Sequence, residues 1–135
     1  MVNDMNKKGF TLVELLSVIS ILAVISVMAS AGVMKLYNNS KENMYCAKIK
    51  MIETEAEEYA IKYERELNES DNLYNGYKSL TIKINDLVEN GNIEANKDNN
   101  IINPIDNSIM NNIDIIIYLK NNQINAYIDN NICEN

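Results

Sequence analysis

Few side chains in this 135-residue sequence are equipped for chemistry, and their positions narrow the choices. There is no histidine, the side chain that titrates near neutrality. General acid–base work would therefore fall to a carboxylate or lysine with a displaced pKa, and nothing in the sequence marks one. No catalytic residue, cofactor or metal is expected. Asp98, Asn99, Asn100, Asp106 and Asn107 offer oxygen ligands of the kind calcium takes, but their spacing departs from the EF-hand loop and reads as a solvated turn region. Cys46 and Cys133 are enough for one bridge if the domain lies outside the membrane; the alternatives are two free thiols, or a clamp worth about 4–5 kcal/mol in the chain-entropy picture. There remains the string Lys7-Lys8-Gly9-Phe10, followed by Glu14, the one charge between Phe10 and Met34.

The element that carries Glu14 is the strongest feature of the chain. The stretch from Phe10 to Met34 is long enough, at about 1.5 Å per residue, to cross a hydrocarbon layer of about 30 Å. Lys7 and Lys8 precede it and the next basic residue is Lys35, which orients the N-terminus towards the cytoplasm. Beyond Lys35 the pattern becomes amphipathic. Tyr45, Ile49, Ile52, Ala56, Tyr59, Tyr63 and Leu67 recur at three- and four-residue steps and predict one buried stripe. A helix running unbroken from Phe10 to Leu67 would be roughly 87 Å long, so half of it must serve something besides the core of one small domain. Gly32 is a weak point where a bend is expected.

After Asn68 the composition turns to Asn, Asp and Gly, and 68–79 reads as a loop. A short extended piece is expected at Leu80-Thr81-Ile82. Asn85 and Asp86 offer an N-cap for a short helix that ends at Gly91. Then comes a loop around Pro104, followed by a hairpin formed by 113–119 and 124–128. Asparagine is abundant, 24 residues, and is read as compositional bias.

Net charge is −7. The first nine residues hold one acid and two lysines, so a chain beginning at Phe10 carries 18 acidic and 10 basic groups, a net −8. Lys78, Lys83, Lys97 and Lys120 are scattered, which argues against nucleic acid as a partner.

The string Lys7-Lys8-Gly9-Phe10-Thr11-Leu12-Val13-Glu14-Leu15 resembles the processing signal of type IV prepilins, and the long helix followed by a short helix and terminal strands resembles the α+β pilin fold. The resemblance implies a leader, 1–9, removed by a prepilin peptidase that also N-methylates Phe10. It implies a transmembrane or filament-core helix over 10–34 and a globular domain over 35–135. Glu14 would pair with the Phe10 amine of a neighbouring subunit, and a subunit docked out of register would leave a buried charge unpaired, at a cost of about 3–5 kcal/mol. Implied partners are other pilin subunits, the peptidase and methyltransferase, an assembly ATPase and platform protein, and membrane lipid before assembly. The precursor would lie in the cytoplasmic membrane and the product in an extracellular filament. A pseudopilin of a competence or secretion system fits the same residues. A departure is that Ser30-Ala31-Gly32 stands where many pilins have proline. Two other readings stay open: a secreted binding domain released after Ala29-Ser30-Ala31, and a signal anchor whose Glu14 reaches the interface.

Overall fold

A computed structural model describes Gly9 and residues 11–133. Helix α1 spans Leu12–Ile61. By length and composition it contains a segment able to cross a membrane, and its large apolar residues from Leu12 to Leu36 are all exposed. Gly32 lies inside the helix. Four serines in the apolar stretch return their hydroxyls to backbone carbonyls of the preceding turn: Ser17 to Val13, Ser20 to Leu16, Ser26 to Leu22 and Ser30 to Val27, at 2.7–2.8 Å. Such bonds leave no hydroxyl in need of a partner in lipid.

The chain divides into two compact units after Asn39. In the second unit, the periodic stripe is the buried one. Tyr45, Ile49, Ile52, Ala56 and Ala60 of α1 form a cluster with Leu67, Ile82, Ile84, Leu87, Ile93, Ile101, Met110, Ile115, Ile117 and Ile128. Tyr59 and Tyr63 are half-buried and their rings meet at a tilt of 32°, with centroids 4.8 Å apart.

The helix is not continuous to Leu67. It ends at Ile61, and α2 covers Glu64–Glu69. At the break, Lys62 N–H and Tyr63 N–H bond three residues back, to Tyr59 O and Ala60 O. This tighter spacing shifts the phase of the following turn, and Leu67 is fully buried.

Four strands follow in the order β1-β2-β3-β4, each antiparallel to the next. They are β1 (Leu73–Tyr74), β2 (Tyr77–Lys83), β3 (Asp114–Lys120) and β4 (Gln123–Tyr127). The segment 68–79 is therefore not all loop. Asn75 and Gly76 have φ of 49° and 82° and join β1 to β2 as a two-residue turn, which needs positive φ at both centres. Asn121 and Asn122, at 54° and 61°, do the same for β3 and β4. Alternation along the sheet sends Ile82, Ile115, Ile117 and Ile128 to the core. The opposite face carries Tyr74, Tyr77, Tyr118 and Tyr127, whose rings contact one another.

Between β2 and β3 lies α3, Ile84–Glu89, whose N-cap is Lys83 rather than Asn85 or Asp86. Asp86 acts from the first turn, accepting the Lys83 N–H at 2.7 Å. Gly91 leaves the helix at φ 75°, the left-handed backbone that glycine takes without penalty.

Candidate functional site

The processing string reaches the described residues at Gly9, Thr11 and Glu14; Lys7, Lys8 and Phe10 lie outside them. Thr11 precedes α1, and its N–H donates to Glu14 Oε2 at 3.0 Å while Glu14 N–H donates to Thr11 Oγ1 at 3.3 Å. These reciprocal bonds are a capping box, threonine at the N-cap and glutamate three positions on. They satisfy two of the N–H groups that a helix start leaves unpaired, and a carboxylate there also favours the positive end of the helix dipole. Glu14 is thus held at the mouth of α1 by its own chain. The Thr-x-x-Glu spacing was legible in the sequence, although an acid in an oily segment invites an intermolecular explanation first.

Cys46 and Cys133 are joined, with Cα atoms 5.4 Å apart, so the C-terminal segment is tied to the start of the buried half of α1. Two glutamates on α1 reinforce this. Glu57 Oε1 accepts the Ala126 N–H at 3.2 Å and Glu53 Oε1 accepts the Ile128 N–H at 3.0 Å. Carboxylates four residues apart on a helix meet amides two apart on an edge strand because the spans, about 6 Å and about 7 Å, nearly match. The open edge of β4 is blunted in this way, which hinders strand addition by another chain.

The Asn- and Asp-rich turns are closed by their own side chains. Asn96 Oδ1 accepts the Asp98 and Asn100 N–H groups. Asp106 Oδ1 accepts both the Ser108 N–H and hydroxyl, and these bonds hold its carboxyl below the ordinary range. Asn99 and Asn107 sit at positive φ. Among the described residues no group of three or more His, Cys, Asp or Glu side chains could hold a metal ion. Asn111 organises the segment before β3. Its Oδ1 accepts the Ile101 N–H at 2.7 Å, and its Nδ2 donates to Asn99 O at 2.8 Å and Asn85 Oδ1 at 3.1 Å.

One open surface groove is lined by Thr54, Glu57, Glu58, Ile61 and Glu64 on one side and residues 122–125 on the other. It is acidic and offers no nucleophile poised beside a base.

These features describe an α+β protein with a membrane-competent N-terminal helix, a capped helix start and a small disulfide-tied domain. Residues 4–30 match the family described as the prokaryotic N-terminal methylation motif. This is the class III signal of the type IV pilin and pseudopilin family. It supports a type IV pilin or pseudopilin, a structural subunit rather than an enzyme, and it fits a membrane-anchored precursor processed by a prepilin peptidase and polymerised with other pilins. Comparison with curated proteins and with solved structures gave no match.

Proposed function

We propose that this chain is the precursor of a filament subunit, a major or minor pilin, cut after Gly9, N-methylated at Phe10 and polymerised through its N-terminal helix. The observation that carries the reading is the methylation motif over 4–30 set on a helix whose large apolar residues are exposed from Leu12 to Leu36. Such a surface is stable in lipid or against copies of itself, not in water. Residues 1–9 serve as the leader, with Lys7 and Lys8 holding it at the cytoplasmic face, 10–34 as the membrane and then filament-core helix, and 35–135 as the domain on the fibre surface. A pseudopilin of a competence or secretion system shares this subunit physics. Release of a binding domain after Ala31 is the reading of another class, and it would give a mature chain that starts at Gly32.

Glu14 has two roles in this reading: it caps its own helix before assembly, and it pairs with the methylated Phe10 amine of a neighbour after it. An ionised acid in a spanning segment costs up to about 2.5–3.5 kcal/mol, and a cation from the next copy offsets that cost. Glu14→Ala is expected to leave cleavage after Gly9 intact and to cut fibre yield at least tenfold. Thr11→Val, which removes the cap hydroxyl but keeps the charge, should assemble far better. N-terminal sequencing and intact mass of the native protein test the foundation, since a mature chain that does not begin with N-methyl-Phe10 refutes the proposal.

A further inference from the structure

Two of the 24 asparagines are followed by glycine, at Asn75-Gly76 and Asn90-Gly91. An asparagine so placed can react with its own chain: the amide nitrogen of the next residue attacks the side-chain carbonyl carbon, and glycine, with no Cβ, leaves that nitrogen open to approach. By sequence the two pairs are equal, and the structure separates them. At Asn90 both reacting groups are engaged. Gly91 N–H donates to Val88 O at 3.1 Å, and Asn90 Nδ2 donates to Asp86 O at 2.7 Å. Asn92 N–H closes on Leu87 O at 2.9 Å, and Leu87 is fully buried, so this pair is freed only when the end of α3 comes away from the core.

Asn75 and Gly76 form the exposed tip of the β1–β2 hairpin. Among the described residues neither the Gly76 N–H nor the Asn75 side chain has a hydrogen-bond partner, and a Cβ built on Gly76 would meet nothing within 4 Å. Ring closure requires Asn75 to turn out of its left-handed conformation, φ 49°, which opens β1. That strand is two residues long and its Leu73 is 67% exposed, so the opening is local and leaves the core packed. We propose that Asn75 is a self-modification site, converted by Gly76 and water to aspartate and isoaspartate, while Asn90 is held back by its own hydrogen bonds. The Gly76 nitrogen bonds to Asn75 Cγ, the Cγ–Nδ2 bond breaks, and ammonia leaves with the proton that Gly76 gave up. Water then adds to either carbonyl of the imide ring and reopens it, with no oxidant or reductant involved. Each event adds one negative charge. Aspartate tolerates the left-handed region and can keep the turn. Isoaspartate lengthens the backbone by a methylene, so Tyr74 and Tyr77 no longer pair across a two-residue turn, and Tyr74 is drawn from the rings of Tyr118 and Tyr127, whose centroids lie 5.1 and 5.9 Å from its own. The reaction needs only this chain and water, and it stands apart from the filament reading.

The test uses the full-length protein in detergent, aged in mildly alkaline buffer, digested in acid and mapped by mass spectrometry, beside a sample aged in guanidinium chloride. In the folded protein Asn75 is expected to gain about one dalton at least tenfold faster than Asn90, as an aspartate and isoaspartate pair that electron-transfer fragmentation resolves. In guanidinium chloride the two rates should come within about threefold of each other. Asn90 converting as fast as Asn75 in the folded protein, or Asn75 staying intact there, overturns the proposal, and a tenfold preference that survives unfolding overturns the part assigned to structure. Independently, the isoaspartate fraction, separated by ion exchange, should show at least tenfold faster hydrogen exchange at the Ser79 amide, which donates to Asn72 O at 2.9 Å in the intact hairpin, whereas Asn75→Asp should leave that amide protected. Unchanged exchange in the isoaspartate fraction overturns the coupling of the modification to the hairpin.

Discussion

At the residue scale, asparagine matters more than its reading as compositional bias allowed. Five asparagines, at 75, 99, 107, 121 and 122, take positive φ between 49° and 61°, a region that side chains other than Gly, Asn and Asp enter at a cost of about 1–2 kcal/mol. Asn111 does different work, at 8% exposure with both ends of its amide bonded. Asn111→Ala would strand the Ile101 N–H, at about 1–3 kcal/mol. A fall in melting temperature of roughly 10 °C is expected for a domain of this size, measurable by circular dichroism in detergent. Tyr59 sets a pH limit. Burial first, and then its hydrogen bond with Tyr63, push its pKa up to about 12 from 10.0; burial and the nearby Asp106 push Tyr45 up as well. A raised tyrosine stabilises the fold fully below the unfolded value and loses that contribution as pH rises through the folded one. Stability should therefore fall between pH 10 and about 12, and absorbance titration should show a late-ionising fraction from Tyr45 and Tyr59 in the folded protein that is lost on unfolding. Tyr59→Phe should flatten that decline.

At the element scale, what was legible in the sequence was what repeats locally. The buried stripe of α1 and the β3–β4 hairpin announce themselves by periods of 3.6 and 2. The ending of α1 did not, because Lys62 and Tyr63 suit a helix and the break is set by Leu67 reaching the core. Strand β1 is two residues long and exists through its pairing with β2, although Asn75-Gly76 is a hairpin signal in plain view. The mouth of α1 was legible in part: Glu14 stands out by type, whereas the cap formed with Thr11 takes a spacing argument. The contacts of Glu53 and Glu57 with Ile128 and Ala126 join residues 75 and 69 positions apart, respectively, and no local pattern encodes them. Their role is testable as a unit. Replacing both with alanine leaves the Ala126 and Ile128 amides without acceptors, at about 1–3 kcal/mol each, and reopens the strand edge. Faster hydrogen exchange at those two amides and a concentration-dependent loss of monomer are expected, while glutamine at both positions, which keeps an acceptor oxygen, should spare most of the protection. Unchanged exchange in the alanine variant would show that the edge needs no such guard.

For the whole molecule, the arrangement of covalent and helical connections sets how it bears load. In the proposed filament, tension reaches the subunit along α1, and Cys46 lies on α1 where the buried stripe begins. The bridge to Cys133 encloses the rest of the domain, 87 positions of chain, within one covalent loop. Tension entering through α1 and leaving near the C-terminus is carried across the sulfur atoms, and the sheet inside the loop need not resist it. Without the bridge, the same pull would draw β4 away from β3 and then β3 from β2, because the C-terminal strand is also the sheet edge. Reduction should in addition lower stability by up to about 4–5 kcal/mol through restored freedom of the unfolded chain, a large share of the 5–15 kcal/mol typical of a domain. Force spectroscopy with handles on the N-terminal helix and after Cys133 separates the two effects. Oxidised subunits are expected to give no long extension step, whereas reduced or Cys133→Ser subunits should release about 300 Å of additional contour length, at about 3.4 Å per residue. A long step in the oxidised protein would mean that tension reaches the sheet despite the bridge, and that the loop stabilises the domain thermally without shielding it mechanically.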